Sequence, residues 1–210
     1  MNTFGNVIAA VSLAVASALA PRMTKAPRQA LAELYSVLDR PQDAVDTLQS
    51  LAADFPDDPV IQASLAGHLQ AAGQLSDSIA GFRTRVDQEP DNRSARISLA
   101  AALTTDGQDQ EALAEYEEII HRWPDYTQAW VRKGELLESM GETKAALAAY
   151  EAAVAAGPDD PNLRFILAYA YRHLATPEQA IKAFETALSM DPNRPAARKA
   201  LDELKSGQGQ

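Results

Sequence analysis

Apolar residues recur at helical spacing in pairs of short segments along the chain. Between residues 93 and 126, Leu99 and Leu103 are followed, after a polar break, by Leu113, Tyr116 and Ile120. Apolar side chains three or four residues apart share one face of an α-helix. The pattern therefore predicts two amphipathic helices joined by a turn, with their apolar faces turned toward a common core.

The same pair of segments returns every 34 residues. Proline marks the end of each unit, at Pro56, Pro90, Pro124, Pro158 and Pro192. Glycine recurs in the turn between the two segments, at Gly73, Gly107 and Gly141. A large apolar residue holds one row, Leu48, Phe82, Tyr116, Tyr150 and Phe184. A small residue holds another row, Ala44, Ser78, Ala112, Ala146 and Ala180. A fixed period of this length indicates a repeat protein.

This repeat resembles the tetratricopeptide repeat (TPR), in five consecutive units, 25–58, 59–92, 93–126, 127–160 and 161–194. The resemblance implies an all-α fold, a right-handed superhelical solenoid of antiparallel helix pairs. The chain departs from the family pattern where Asp39 and Ala175 stand in place of the turn glycine.

Each row of residues has a physical role in this predicted fold. Glycine adopts the left-handed conformation that ends the first helix of a repeat, and proline stops the second helix. The small residues let paired helices approach, and the leucine and aromatic rows form the core. The Asp residues at the inter-repeat turns are expected to cap helices rather than to bind calcium. Residues 195–205 are predicted to form a capping helix, and residues 206–210 a frayed tail.

An apolar leader precedes the repeats. Residues 4–20 carry no charged side chain and would be apolar on every face of a helix. The small residues Ala16 and Ala18 favour a signal-peptide cleavage site before Leu19, but the basic residues follow the apolar run, which counts against export. Three interpretations of residues 1–24 stay open: a cleaved signal peptide, an N-terminal membrane anchor, and a helix packed on the first repeat or on a partner.

Charge and composition exclude several classes of function. The net charge is −10, with 29 acidic against 19 basic side chains. Nucleic-acid binding depends on basic side chains that neutralise phosphates, so this balance argues against it. The chain contains no cysteine, which excludes disulfides, thiolate metal sites and cysteine nucleophiles.

In the resembling family the concave groove is lined mainly by the first helix of each repeat, and the resemblance places the partner-binding site there. The matching residues are Val60, Ser64, Ile97, Ser98, Ala101, Val131, Arg132, Phe165, Tyr169, Arg172 and His173. The apolar members would anchor a helix or an extended peptide. The basic members, together with Lys199, would pair with acidic groups of that guest. The alternative for Phe165 is that it packs against the capping helix.

No catalytic site, cofactor or metal site is predicted. His68, His121 and His173 fall at different phases of the repeat, several helices apart, and the sequence has no HExxH motif, phosphate loop or GxSxG motif. A pairing of His173 with Glu138 or Glu135 would suggest acid–base chemistry, but exposed charged pairs on helices are mostly solvated surface. Part of the family clamps the C-terminal carboxylate of heat-shock chaperones, and that clamp is absent here.

The predicted function is a non-catalytic scaffold that binds a protein or peptide, with neither a nucleic acid nor a small-molecule substrate as its partner. Residues 4–20 favour a bacterial envelope setting, either periplasmic or tethered to the inner membrane. Exported repeat proteins that resemble this one serve envelope assembly, secretion or cytochrome maturation. Three alternatives stay open: a cytoplasmic scaffold, a self-assembling homo-oligomer, and the recruitment module of a TPR-containing transferase.

Overall fold

A computed structural model describes residues 24–207 of the chain, and the apolar leader at 4–20 lies outside them. The chain divides into two compact units, Met1–Gln108 and Asp109–Gln210. The helices of unit 1 are α1 (Lys25–Val37), α2 (Pro41–Asp54), α3 (Pro59–Ala71), α4 (Leu75–Gln88) and α5 (Arg93–Asp106). Those of unit 2 are α6 (Asp109–Arg122), α7 (Thr127–Ser139), α8 (Thr143–Ala156), α9 (Pro161–Leu174), α10 (Pro177–Met190) and α11 (Pro195–Gly207). The all-α fold of repeated helix pairs is confirmed.

Proline and glycine end the helices where their chemistry requires it. Each second helix stops two residues before the repeated proline, as α2 does at Asp54 before Pro56. Gly107, the residue after α5, has φ +78°. Asp39 has φ +56° at the matching place after α1, where a side chain is strained. Ala175 avoids that conformation, with φ −133°.

Side chains cap the starts of α3, α5, α9 and α10, where backbone N–H groups lack partners within the helix. Asp58 accepts from the backbone N–H groups of Val60 and Ile61 at 2.9 and 3.3 Å, and Asp160 accepts from that of Asn162 at 2.8 Å. At the other two starts, Asn92 caps α5, and Thr176 forms a reciprocal capping box at α10. The capping role predicted for the turn aspartates is thus confirmed for Asp58 and Asp160.

Four of the five members of the small-residue row are fully buried, as close helix crossings require. Ala44, Ala112, Ala146 and Ala180 have no exposed surface. Two clusters of buried residues lie in unit 2. One surrounds Tyr150, and the other joins Phe184 to the α11 residues Ala197, Ala200 and Leu201. The opposite side of α11 carries exposed charges, so this helix caps unit 2, and it runs through Gly207 rather than ending at Lys205.

A further row of polar residues, not evident from the sequence pattern, joins first helices to the preceding turn by hydrogen bonds. The fourth residue of a unit donates to the carbonyl of the proline six residues earlier. Gln62 reaches Pro56 at 3.1 Å, and Arg164 reaches Pro158 at 2.8 Å. Arg198 repeats the contact on α11. Polar residues in this row therefore satisfy turn carbonyls that would otherwise lack partners.

Candidate partner-binding site

The structure separates the five predicted apolar anchors by their exposure. Val60 on α3 is 51% exposed, whereas Ile97 on α5 is 2% exposed. In unit 2, Val131 and Phe165 are 8% and 5% exposed, and Tyr169 is half-buried. A partner can therefore reach Val60 without any rearrangement of the protein. Val131, Phe165 and Tyr169 already contribute to packing within unit 2, Ile97 is buried, and the binding role of all four stays a prediction.

The predicted site residues on α5 are buried. Ile97, Ser98 and Ala101 belong to a stretch, residues 95–103, in which every residue is buried. The Ser98 hydroxyl lies 2.8 Å from Gln62 Oε1 of α3, so Ser98 takes part in helix packing. Ser64, on α3, is half-buried. Within unit 1, the accessible part of the predicted site thus lies on α3.

The basic side chains predicted for unit 2 already have acidic partners within that unit. Arg132 pairs with Glu135 at 2.7 Å, and Arg172 pairs with Glu203 at 3.0 Å. Lys199 lies 3.9 Å from the same glutamate. Exposed ion pairs of this kind contribute only about 0–1 kcal/mol, so an acidic guest would replace contacts of similar strength. The repeat pattern gives no sign of these internal ion pairs.

Phe165 and Tyr169 lie beside the capping helix of unit 2. Phe165 belongs to the cluster that contains Ala197 and Leu201, and the Arg194 guanidinium lies 4.9 Å from the centre of its ring. The Tyr169 ring meets Phe184 edge to face, with centroids 5.0 Å apart. These contacts match the packing alternative for Phe165. His173, also predicted, is exposed at the end of α9.

Helices α1 and α3 each carry an exposed valine, and the accessible anchor Val60 lies on α3. Val37 on α1 is 82% exposed and Val60 on α3 is 51% exposed, while Gly67 adds no side chain. An ion pair between Lys25 and Asp58 joins the starts of the two helices. Partial burial raises the pKa of Asp58, but the Lys25 ammonium and the backbone N–H groups outweigh it, so the net pKa is lowered.

A pocket of about 510 Å³ opens in unit 1 between α3 and α4, and residues of α2 and α5 complete its wall. It forms because α3 packs far more extensively on α5 than on α4, its partner in the same repeat. Leu65 and Leu69 of α3 and Phe82 of α4 line its apolar part. Phe82 is only half-buried, whereas Leu48 and Phe184 in the same row are fully buried. The prediction that Phe82 fills the core is therefore wrong.

Two polar residues in repeat two account for the opening. Ser78 stands in the small row that alanine holds in the other four repeats, and it is half-buried. Seven residues later, Arg85 is exposed at a position where Leu51 and Ile119 are fully buried. Burying an unpaired guanidinium carries a large desolvation penalty, so α4 cannot close on its neighbours there. These two departures were visible in the sequence.

Comparison with known families identifies the repeat. Models described as tetratricopeptide repeat match residues 29–58, 75–150 and 131–195, which together cover well over half of the chain. The chain belongs to the tetratricopeptide repeat family. No curated protein sequence matches it.

Solved structures share the TPR fold at low sequence identity. A thermophilic TPR protein, TTC0263 from Thermus thermophilus, is 20% identical with a TM-score of 0.55, covering 84% of this chain and 96% of its own. MamA 41-end from Desulfovibrio magneticus RS-1 is 16% identical with a TM-score of 0.52, covering 80% and 96%. Another MamA structure is 20% identical with a TM-score of 0.52, covering 77% and 95%. At these identities the likeness concerns the fold.

The TPR fold is generally a non-catalytic interaction scaffold. In this TPR protein, Glu138 accepts a 3.0 Å hydrogen bond from the Tyr150 hydroxyl, and His173 is exposed. Burial and this carboxylate raise the pKa of Tyr150 above its usual range. Within residues 24–207, no three His, Asp or Glu side chains are placed to hold a metal ion. In the same part of the chain, every helix is too short or too polar to cross a membrane.

Proposed function

We propose that this TPR protein is an interaction scaffold that holds a helix or extended segment of a partner protein along α1 and α3. The observation that carries the proposal is the exposure of Val60, which the repeat register places in the partner-binding row. A half-exposed valine on a helix gains free energy when a partner covers it, by roughly 25 cal/mol per Å² of apolar surface. Val37, the last residue of α1, is a second exposed valine that a partner could cover.

The composition of this face suits a guest with apolar anchors. Ala26, Ala30 and Gly67 are exposed and small, so a partner backbone can approach closely. Glu33 and Gln70 are exposed polar neighbours that would border the apolar contacts. An amphipathic helix presents apolar residues three or four positions apart and buries them in a surface of this kind. Ser64 is the predicted polar contact on α3.

Site-specific photo-cross-linking in the native host tests the proposal. A benzophenone amino acid replaces Val60, or, as the matched control, Ala80, an exposed residue on the second helix of the same repeat. We expect a discrete cross-linked protein from position 60 and a much weaker product from position 80. Equal products from both positions, or none from position 60 in the intact cell, would contradict the proposal.

The same experiment addresses self-assembly. A cross-linked product with twice the mass of the chain, yielding peptides of this protein alone, would show that the partner is a second copy. That outcome would replace a heterologous guest with the homo-oligomer named above. Size-exclusion chromatography with light scattering on the full chain then gives the number of copies.

We further propose that the scaffold works at the bacterial envelope, in assembly, secretion or cytochrome maturation. The support is the uncharged run at 4–20 with small residues before Leu19. The test is the N-terminal sequence of the protein isolated from each fraction of its host. A start near Leu19 in the periplasm, or an intact Met1 in the membrane fraction, agrees with this setting. An intact Met1 in the soluble cytoplasm refutes it.

A further inference from the structure

We infer that the pocket in repeat two binds a carboxylate carried on an apolar body. The pocket lies inside unit 1, between α3 and α4, and differs in position and chemistry from the exposed face of α1 and α3. Its volume of about 510 Å³ lies within the range of small-ligand sites. The inference is independent of the protein partner proposed above.

The pocket favours an apolar guest body because four of its polar side chains, Gln62, Ser78, Ser94 and Ser98, already have hydrogen-bond partners. Gln62 donates to the Pro56 carbonyl at 3.1 Å and lies 2.8 Å, through its Oε1, from the Ser98 hydroxyl. Ser78 donates to the Gln74 carbonyl at 2.9 Å. The remaining wall is apolar, from Leu65, Leu69 and Phe82 with nearby alanines. A ligand body that brings polar groups inside would leave them without partners, at a cost in binding free energy.

The lining of the pocket includes a cation, Arg85. The Arg85 side chain makes no hydrogen bond or ion pair with any residue between 24 and 207, although the chain carries 29 acidic side chains. The amide of Gln49, which also lines the pocket, is likewise unpaired within that range. Of the described residues that line the pocket, none is acidic. The polar end of a ligand here should therefore be an anion.

A singly charged carboxylate fits this arrangement better than a phosphate. The guanidinium fork donates two parallel hydrogen bonds to either group. A phosphate carries close to two charges, and Arg85 is the one cation among the described residues that line this pocket. A medium-length fatty acid combines one carboxylate with an apolar body. The C-terminal leucine of a polypeptide offers the same chemistry, so two sources have to be separated by experiment.

The position of Arg85 in the last turn of α4 allows a simpler role for this side chain. A cation in the last turn of a helix interacts favourably with the helix dipole. That role requires neither a pocket beside the guanidinium nor a hydroxyl in place of alanine at Ser78. It also predicts that replacing Arg85 changes stability but leaves ligand selectivity unaffected.

Titration calorimetry with the full chain tests the inference. The first probes are octanoate, its uncharged analogue octanol, and acetate, which carries the carboxylate without the long apolar chain. The others are a short peptide ending in leucine with a free C-terminal carboxylate and the same peptide with an amidated C-terminus. We expect octanoate or the peptide acid to bind, with octanol, acetate and the amide at least about tenfold weaker. Binding of octanoate would indicate a free carboxylic acid, and binding of the peptide acid alone would indicate a polypeptide end.

Three variants separate this site from general apolar binding. Arg85→Gln should weaken the carboxylate ligand about tenfold or more, whereas Arg83→Gln, on the same helix outside the pocket, should not. Gly81→Leu should block the pocket, because a Cβ at Gly81 meets no atom within 4 Å and the added side chain has room to enter. Circular dichroism checks that each variant stays folded. Equal binding of octanol and octanoate, no binding of either carboxylate, or unchanged binding by Arg85→Gln would overturn the inference.

Discussion

Adding one methyl group at Gly134 should destabilise unit 2, although alanine favours helix formation more than glycine does. Gly134 lies on α7, in a row that alanine holds in the other repeats. A Cβ there would lie 2.7 Å from Cε1 of Tyr150 and 2.9 Å from its Cδ1 and Cζ. The Tyr150 ring is 3% exposed and its hydroxyl donates to Glu138, so the ring has little freedom to move away.

Two opposing contributions set the change in the free energy of unfolding caused by Gly134→Ala. Replacing glycine by alanine inside a helix stabilises it by about 1 kcal/mol. Overpacking a well-filled core costs about 1–3 kcal/mol. The net effect of Gly134→Ala on the free energy of unfolding is therefore a loss of up to about 2 kcal/mol. Gly67→Ala on α3 is the matched control, because its Cβ would meet no atom within 4 Å, and we expect it to stabilise the protein by up to about 1 kcal/mol.

Urea unfolding followed by circular dichroism measures both variants, and tryptophan fluorescence reports on unit 2, which holds Trp130. The midpoint should fall for Gly134→Ala and rise for Gly67→Ala, with similar slopes. Adding Tyr150→Leu to Gly134→Ala should recover part of the loss, since leucine stands in this row at Leu48. If Gly134→Ala stabilised the chain as much as Gly67→Ala does, the proposed contact with Tyr150 would be refuted.

Three further predictions concern single side chains. Asp58→Ala removes an N-cap and should lower the free energy of unfolding by about 1 kcal/mol. Because the pKa of Asp58 is lowered, the stabilisation by its carboxylate is complete above about pH 4 and is lost as the pH falls further. The urea midpoints of variant and wild type should therefore converge in acid. Asp39→Gly should raise the thermal unfolding midpoint, because glycine avoids the cost of about 1 kcal/mol that a side chain incurs at a positive φ. An unchanged midpoint would show that Asp39 is unstrained. Burial and the Glu151 carboxylate raise the pKa of Tyr171 to about 12. The stabilisation of the fold by its protonated hydroxyl is therefore present below about pH 10 and is lost as the pH rises through 12. Absorbance titration should show one late-ionising tyrosine fewer in Tyr171→Phe.

The sequence predicted the repeat because its rows are set by local geometry. A proline that ends a helix, a glycine that adopts a positive φ and an alanine at a crossing each act within one repeat. Pro56, Gly107 and Ala112 all behave as their positions require. The 34-residue period was therefore sufficient to predict the repeat fold without information on how the two units assemble.

The candidate site was less predictable because exposure depends on neighbouring helices. Val60 is the second residue of its repeat and is exposed, whereas Ile97 is the fifth residue of its repeat and lies in a stretch of α5, residues 95–103, that is buried throughout. The ion pair of Arg172 with Glu203 joins residues 31 positions apart, beyond the reach of a helical pattern. Arg85 was the clearest signal of the pocket that the sequence contained, since it replaces a buried residue within an otherwise regular row.

The most direct test of the scaffold function uses the partner segment identified by cross-linking from position 60. That segment, made as a peptide, is titrated into the wild-type chain, Val60→Glu and the control Ala80→Glu. We expect wild type and Ala80→Glu to bind with the same affinity, and Val60→Glu to bind at least about tenfold more weakly, since it places a charge in a desolvated contact. Equal affinity for all three chains, or no binding to wild type, would contradict the account.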